Sequence, residues 1–287
     1  MGINIRTNLP ALSAQRNLGL ASDKLNQSYQ RLASGLRINK TSDDAAGLAI
    51  AENLKSDATL ASVAIRNAND GISVIAIADQ SLGQISNILN RLSELAQQSA
   101  NGVYDVTQRL AMQDEFSALT SEIERIAVTT AFNGIDLLSN GQNLNFQVGL
   151  DGSALSMLGY QGIQGTLQAI GLADVGSSAS TYSISANTEV EAQSASRLAL
   201  EAIKVALTSV GRSRGNLGAL ESRLSASINN LQVARENFKA AESQIRDLDV
   251  AAEAAEMTRL NILQQSGAAV LAQANQQPAI ALQLLGR

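Results

Sequence analysis

From Ile75 to Ala96 the chain sets Ile75, Ala78, Leu82, Ile85, Leu89, Leu92 and Ala96 at alternating steps of three and four residues. Gln, Asn, Ser, Arg and Glu fill the positions between them. A helix built on this pattern carries one narrow apolar stripe, and such a stripe is buried only against partner helices. The remainder of the chain is therefore read for the matching stripes.

Residues 1–34 predict a helix after a short extended start, with Leu18, Ala21, Leu25, Ser28 and Leu32 on one side. Gly35 offers a helix stop, and Ser42 or Asp43 can cap the next helix. From Ala45 the stripe resumes through Ala51, Leu54, Ala58, Ala61, Ile65, Ala68 and Ile72 and slips by three residues near Gly71. This predicts one long helix, kinked at the slip, that ends at Asn101-Gly102. A shorter helix follows, with Met112, Phe116, Leu119, Ile123 and Ile126 as its stripe, and its short connection makes it an antiparallel neighbour.

The period then changes. Leu144, Phe146, Val148 and Leu150 alternate among Asn, Gly and Asp, which predicts a β-hairpin, and Thr181–Ala186 alternates once more in a Gly- and Ser-rich stretch. A return helix keeps the three-four alternation from Ala199 through Leu217, Leu224 and Leu231 to Leu248. Gly211, Gly215 and Gly218 weaken it locally, each by roughly 1 kcal/mol relative to Ala. The segment from Leu260 to Gly286 has no charged residue and a sparse stripe of Leu263, Gly267, Val270, Ala274, Ala281 and Leu284. Its many Gln and Asn residues make it too polar for a transmembrane span. The expectation is a segment that gains helical order on packing against residues 1–34 in an assembly.

These elements predict a mainly α fold: a long antiparallel coiled-coil rod with a small β-hairpin region and both termini paired at one end. The corresponding division is 1–44 and 255–287 for the terminal helical pair, 45–190 for the outgoing rod with hairpin and short variable region, and 191–254 for the return helix.

Composition narrows the function classes. Aromatic residues are 3% of the 287, with no Trp, Cys or His, so thiolate nucleophiles, disulfides, the usual zinc sites and the commonest general base are all missing. No carboxylate pair stands out from ordinary surface charge, and neither an enzyme nor a cofactor is expected. The net charge of −5 argues against nucleic acid, and no stretch has the length of a membrane span or the order of a signal peptide. Asp43-Asp44 is read as capping rather than metal binding. Gly162, Gly165 and Gly171 are read as turn glycines, and the sequons at Asn26 and Asn39 as accidental. The serines and threonine of Ser177–Ser183 are better candidates for sugar addition.

Four stretches carry a resemblance: RLASGLRINKTSDDAAGLAIAENL from Arg31, RNANDGIS from Arg66, NRLSELAQQSANG from Asn90, and ILQQSGAAVLAQANQ from Ile262. In this order they resemble bacterial flagellin over roughly residues 1–150 and 195–287. The resemblance implies a structural subunit that polymerises into an extracellular filament for swimming. Its terminal helices would form an inner tube and its rod the surrounding tube, with outer domains absent because only a short stretch follows the hairpin. It implies export without a cleaved signal peptide and several partners: further copies of the chain, an export chaperone, a filament cap protein and the hook-filament junction protein. It also implies contact with the vertebrate Toll-like receptor for flagellin through Arg91, Leu95 and Glu115, with Ser93 where a second basic residue is often found. Leu18, Leu25, Leu32, Leu263, Val270 and Leu284 are the expected assembly seam. The alternatives are the junction protein itself, or a soluble helical signalling or scaffold coiled coil.

Overall fold

The computed structural model describes residues 7–285, with side chains as far as Gln276. Its helices are α1 (Leu9–Ser34), α2 (Ala45–Ser99), α3 (Val106–Thr129), α4 (Glu189–Arg246) and α5 (Val250–Leu285). Four short strands lie between α3 and α4: β1 (Ala131–Phe132), β2 (Ile135–Asp136), β3 (Leu144–Gln147) and β4 (Met157–Tyr160). The chain forms two compact units, Met1–Ala58 with Glu236–Arg287, and Thr59–Arg235.

In the second unit α2 and α4 run antiparallel. Ala61 and Ala64 cluster with Leu231, Gly71 faces Leu224, Asp79 pairs with Arg214, and Ser99 meets Ser196. The predicted α2 stripe is the core: Ile75, Ala78, Leu82, Ile85, Leu89, Leu92 and Ala96 are all at most 1% exposed. α3 returns beside it and adds Met112, Phe116 and Ile123. Leu119 and Ile126 pack partly buried at its edge. An Asp105–Gln108 capping box starts α3.

Helix α2 passes through Gly71 without interruption. The glycine is there for packing: a Cβ would lie 3.1 Å from the Phe146 ring and 3.2 Å from a Leu224 methyl. α4 likewise runs unbroken through Gly211, Gly215 and Gly218, where a Cβ would meet open space.

The β region departs from the expectation of one hairpin. β1 and β2 turn at Asn133-Gly134, both at positive φ (49° and 77°), while β3 pairs with β4, so the alternating Leu144–Phe146 edge finds its partner ten residues on. Thr181–Ala186 forms no strand. The Oγ of Ser177, Ser180 and Ser183 each accepts from the N–H two residues ahead, so three successive serine turns replace a ladder. Side chains of α3 fasten this coil: Gln113 Oε1 accepts from the Ile184 N–H at 2.7 Å and Glu124 Oε2 from the Leu167 N–H at 2.8 Å.

A polar node closes the end of α2. Arg109, fully buried, donates to the carbonyls of Ser99, Asn101 and Tyr104, and the Ser99 and Ser196 hydroxyls both donate to the Ile184 carbonyl. A guanidinium at a helix C-terminus meets the negative end of the dipole as well as its orphan carbonyls.

In the first unit α1 and α5 pair antiparallel. Asn8 Nδ2 donates to the Ala274 carbonyl at 2.8 Å, Gln264 to Ser22 at 3.1 Å, and Arg31 stands 3.8 Å from Glu253. Asn8 also caps α1 through the Ala11 N–H, and Gly35 ends that helix at φ 71°. The α2 cap is Asp44, which accepts from the Gly47 N–H at 2.9 Å, in place of Ser42 or Asp43. Asp43 instead closes the preceding turn by accepting from the Asn39 and Lys40 N–H groups.

Candidate functional site

The face that α1 and α5 turn to each other is small and partly polar. On α5 it is Met257, Leu260, Gln264, Gly267, Leu271 and Ala274, again at three-four spacing. On α1 it comprises Ala14, Leu18, Leu25, Ser28 and Leu32. Leu260 and Leu25 are buried to 2% and 5%, and at Gly267 a Cβ would stand 3.9 Å from the Leu18 Cβ. Glycine there brings the two helices close, and only a slender apolar strip is sealed.

What remains outside is considerable. Leu9, Leu12 and Leu20 on α1 and Ile262, Leu263 and Val270 on α5 are 45–63% exposed. Of the expected seam, Leu18, Leu25 and Leu32 are used within the chain to meet α5, whereas Leu263 and Val270 point away from that contact. On α5 Gly267 and Ala274 of the expected stripe face α1, while Gln264 and Leu271 stand there beside the outward Leu263 and Val270. Leu284 lies outside the described side chains. Leu9, Leu12, Leu20 and Ile262 escaped the sequence reading, which followed one stripe per helix; a second stripe of large apolar residues beside the first was the available signal.

The receptor residues separate in a different way. Arg91 on α2 donates to Glu115 on α3 at 2.9 Å and to Glu94 at 3.0 Å. These carboxylates raise its pKa further, Glu115 most. Arg91 and Glu115 are roughly half exposed, but Leu95 is 1% exposed within the core. Sharing a face at i and i+4 does not suffice here, because that face turns inward as it reaches Leu95. Leu95 thus packs within the core of the single chain.

Asp44 caps with Oδ1, while Asp43 takes the Asn39 and Lys40 N–H groups on Oδ2 and the Gln27 amide on Oδ1, contacts that hold the Asp43 carboxyl below its ordinary value, the Lys40 N–H first. Among the described residues no group of three or more His, Cys, Asp or Glu forms a nest for a metal ion. No helix among them is long and apolar enough to cross a membrane. Gly171 sits in a turn at φ 81°, whereas Gly162 lies in coil, where a Cβ would strike the Gly141 backbone.

A helix pair satisfied along its inner line, yet still lined with leucine, isoleucine and valine outside, defines a helical protein that associates through further helices. The comparisons give that class a family. Residues 5–143 match the model of the bacterial flagellin N-terminal helical region and residues 200–285 that of the C-terminal helical region. The flagellin of Halalkalibacterium halodurans is 41% identical over 98% of this chain and 99% of that protein. For the flagellin of Bacillus subtilis the identity is 38%, over 99% and 100%. For the flagellar filament 33 kDa core protein of Treponema phagedenis it is 37%, over 98% and 99%. The crystal structure of Bacillus cereus flagellin overlaps with a TM-score of 0.47 at 26% identity, over 58% of this chain and 88% of that one. The chain belongs to the bacterial flagellin family, and its role is that of a structural subunit of the flagellar filament.

Proposed function

We propose that copies of this chain join through the outer apolar positions of α1 and α5, so that the terminal pair becomes the inner tube of the filament. The exposed Leu9, Leu12, Leu20, Ile262, Leu263 and Val270 carry this reading. Burying such a side chain fully contributes roughly 1.5–3 kcal/mol, so covering the exposed half of all six gives about 5–10 kcal/mol, the same order as the cost of association. In this division residues 1–44 and 255–287 make the inner tube, and 45–190 with 191–254 the surrounding one. Subunits reach the tip unfolded and without cleavage of a signal peptide. An export chaperone holds the C-terminal segment beforehand, the cap protein receives the subunit, and the junction protein meets the first turn of the filament.

Electron microscopy of concentrated protein tests the core of this. Wild type forms tubes of regular diameter, whereas Leu12→Asp with Val270→Asp leaves soluble subunits whose Thr59–Arg235 unit melts unchanged. Tubes formed equally by both would refute it. The Toll-like receptor reading rests on Arg91, Leu95 and Glu115, and unchanged receptor signalling by Arg91→Ala would remove it.

A further inference from the structure

Helix α4 stops at Arg246 and α5 starts at Val250, yet Gln244–Ala251 contains neither glycine nor proline. The apolar spacing continues through Ile245 and Leu248 without a fault. The carbonyls at the end of α4 are engaged from the other end of the chain. The Arg37 N–H donates to the Arg246 carbonyl at 2.7 Å. The Arg37 Nη2 and Nε donate to the Ile245 carbonyl at 2.6 and 3.2 Å. The Leu248 N–H donates to the Gly35 carbonyl at 3.0 Å, and Leu36 bridges Asp247 antiparallel.

In an unbroken helix the Ile245 and Arg246 carbonyls would accept from Asp249 and Val250. Here those carbonyls are taken by Arg37, and neither amide has a carbonyl acceptor among the described residues. Asp249 compensates by capping α5, its Oδ1 accepting from Ala251 and Ala252. The interrupted and uninterrupted arrangements thus compete for the same two carbonyls and satisfy similar numbers of hydrogen bonds.

We propose that the break between α4 and α5 is imposed by docking of residues 35–37 and is absent without it, so that the C-terminal arm has two forms. With the 35–37 loop docked, the arm is interrupted at 247–249. With the loop away, the helix runs continuously from Glu236 into α5. The position of the N-terminal arm then sets the form of the C-terminal one, a coupling through one bistable element.

Amide exchange resolved by residue on the full-length chain at low concentration tests this. Arg37→Pro, at an exposed side chain, removes both the N–H from the Arg246 carbonyl and the charged donor from the Ile245 carbonyl. The Asp249 and Val250 amides are then expected to exchange at least about tenfold more slowly than in wild type, as they enter a continuous ladder. Val250→Pro suits the first position of α5 but cannot donate within a continuous helix. In the Arg37→Pro/Val250→Pro double variant the Asp249 amide is expected to return to the wild-type rate. Wild-type exchange at Asp249 and Val250 in Arg37→Pro, with α5 otherwise unaltered, would place the break in residues 247–249 themselves and overturn the proposal. Loss of protection across 236–276 would overturn it too, since Arg37 would then be a plain cap.

Discussion

The closeness of α1 and α5 at Leu18 and Gly267 can be tested covalently. A Cβ at Gly267 would lie 3.9 Å from that of Leu18, against about 3.8 Å in a typical disulfide. The chain has no cysteine of its own, so L18C/G267C introduces the only thiols. The cross-link closes a loop of roughly 250 residues, for which chain entropy sets an upper figure of about 5 kcal/mol in favour of the paired state. Losing the half-buried Leu18 side chain takes back about 1–2 kcal/mol. Mild oxidation at micromolar concentration is expected to give a species of altered mobility on a non-reducing gel. Amide protection across 250–276 should rise in it and fall again with reductant. L20C/G267C is the control, since Leu20 is 57% exposed on another side of α1. If the control pair oxidises as fast as L18C/G267C, the two helices are not held as described. If the intended pair never oxidises, they do not meet in the isolated chain at all.

Glycine offers a contrast of sign. Gly71→Ala drives a methyl onto Phe146 and Leu224 and should lower stability by about 1–3 kcal/mol despite better helix propensity. Gly215→Ala projects into open space and should raise it by up to about 1 kcal/mol, both read by denaturant titration of the isolated subunit. Arg109→Lys keeps the charge but cannot reach the Ser99, Asn101 and Tyr104 carbonyls together, and should cost about 2–4 kcal/mol in the same titration; a loss within experimental error would discount the node. The carboxyls of Asp105 and Asp43 have lowered pKa values, chiefly from the Gln108 and Lys40 N–H groups respectively. A depressed acid stabilises fully above its unfolded pKa and loses that contribution as pH falls through the folded one. Acidification below the ordinary aspartate range should therefore loosen the α3 start and the 39–44 turn. Asp105→Asn should flatten that pH dependence in a series of thermal melts.

The helices were legible because three-four spacing is repeated over tens of residues and burial follows it, from Ile75 to Ala96 and from Ala199 to Leu231. The stops at Gly35 and Asn101-Gly102 were equally local. What could not be read has tertiary causes. Residues 247–249 break a helix under hydrogen bonds from residues more than two hundred positions away. Thr181–Ala186 alternates as a strand would, but its serine hydroxyls take up the N–H groups that a ladder needs. Gln264 and Leu271 meet α1 beside the apolar Leu263 and Val270, because one stripe fixes the spacing of a helix but not which neighbour it turns toward.

The coil between β4 and α4 is held at Leu167 by Glu124 and at Ile184 by Gln113. Its outer part is pinched shut where the Thr181 N–H donates to the Leu172 carbonyl at 3.0 Å. Between those two residues the Ala173 N–H still donates to the Leu167 carbonyl and the Gly176 N–H to Gln168 Oε1, both at 3.2 Å, while Val175 is 90% exposed. Added length there costs only the slow logarithm of a longer loop, so foreign peptide spliced beside Val175 would give up the Gln168–Gly176 contact and leave the Leu172–Thr181 neck in place. A filament of such subunits would display the graft once per copy, which makes this small span the natural port for cargo.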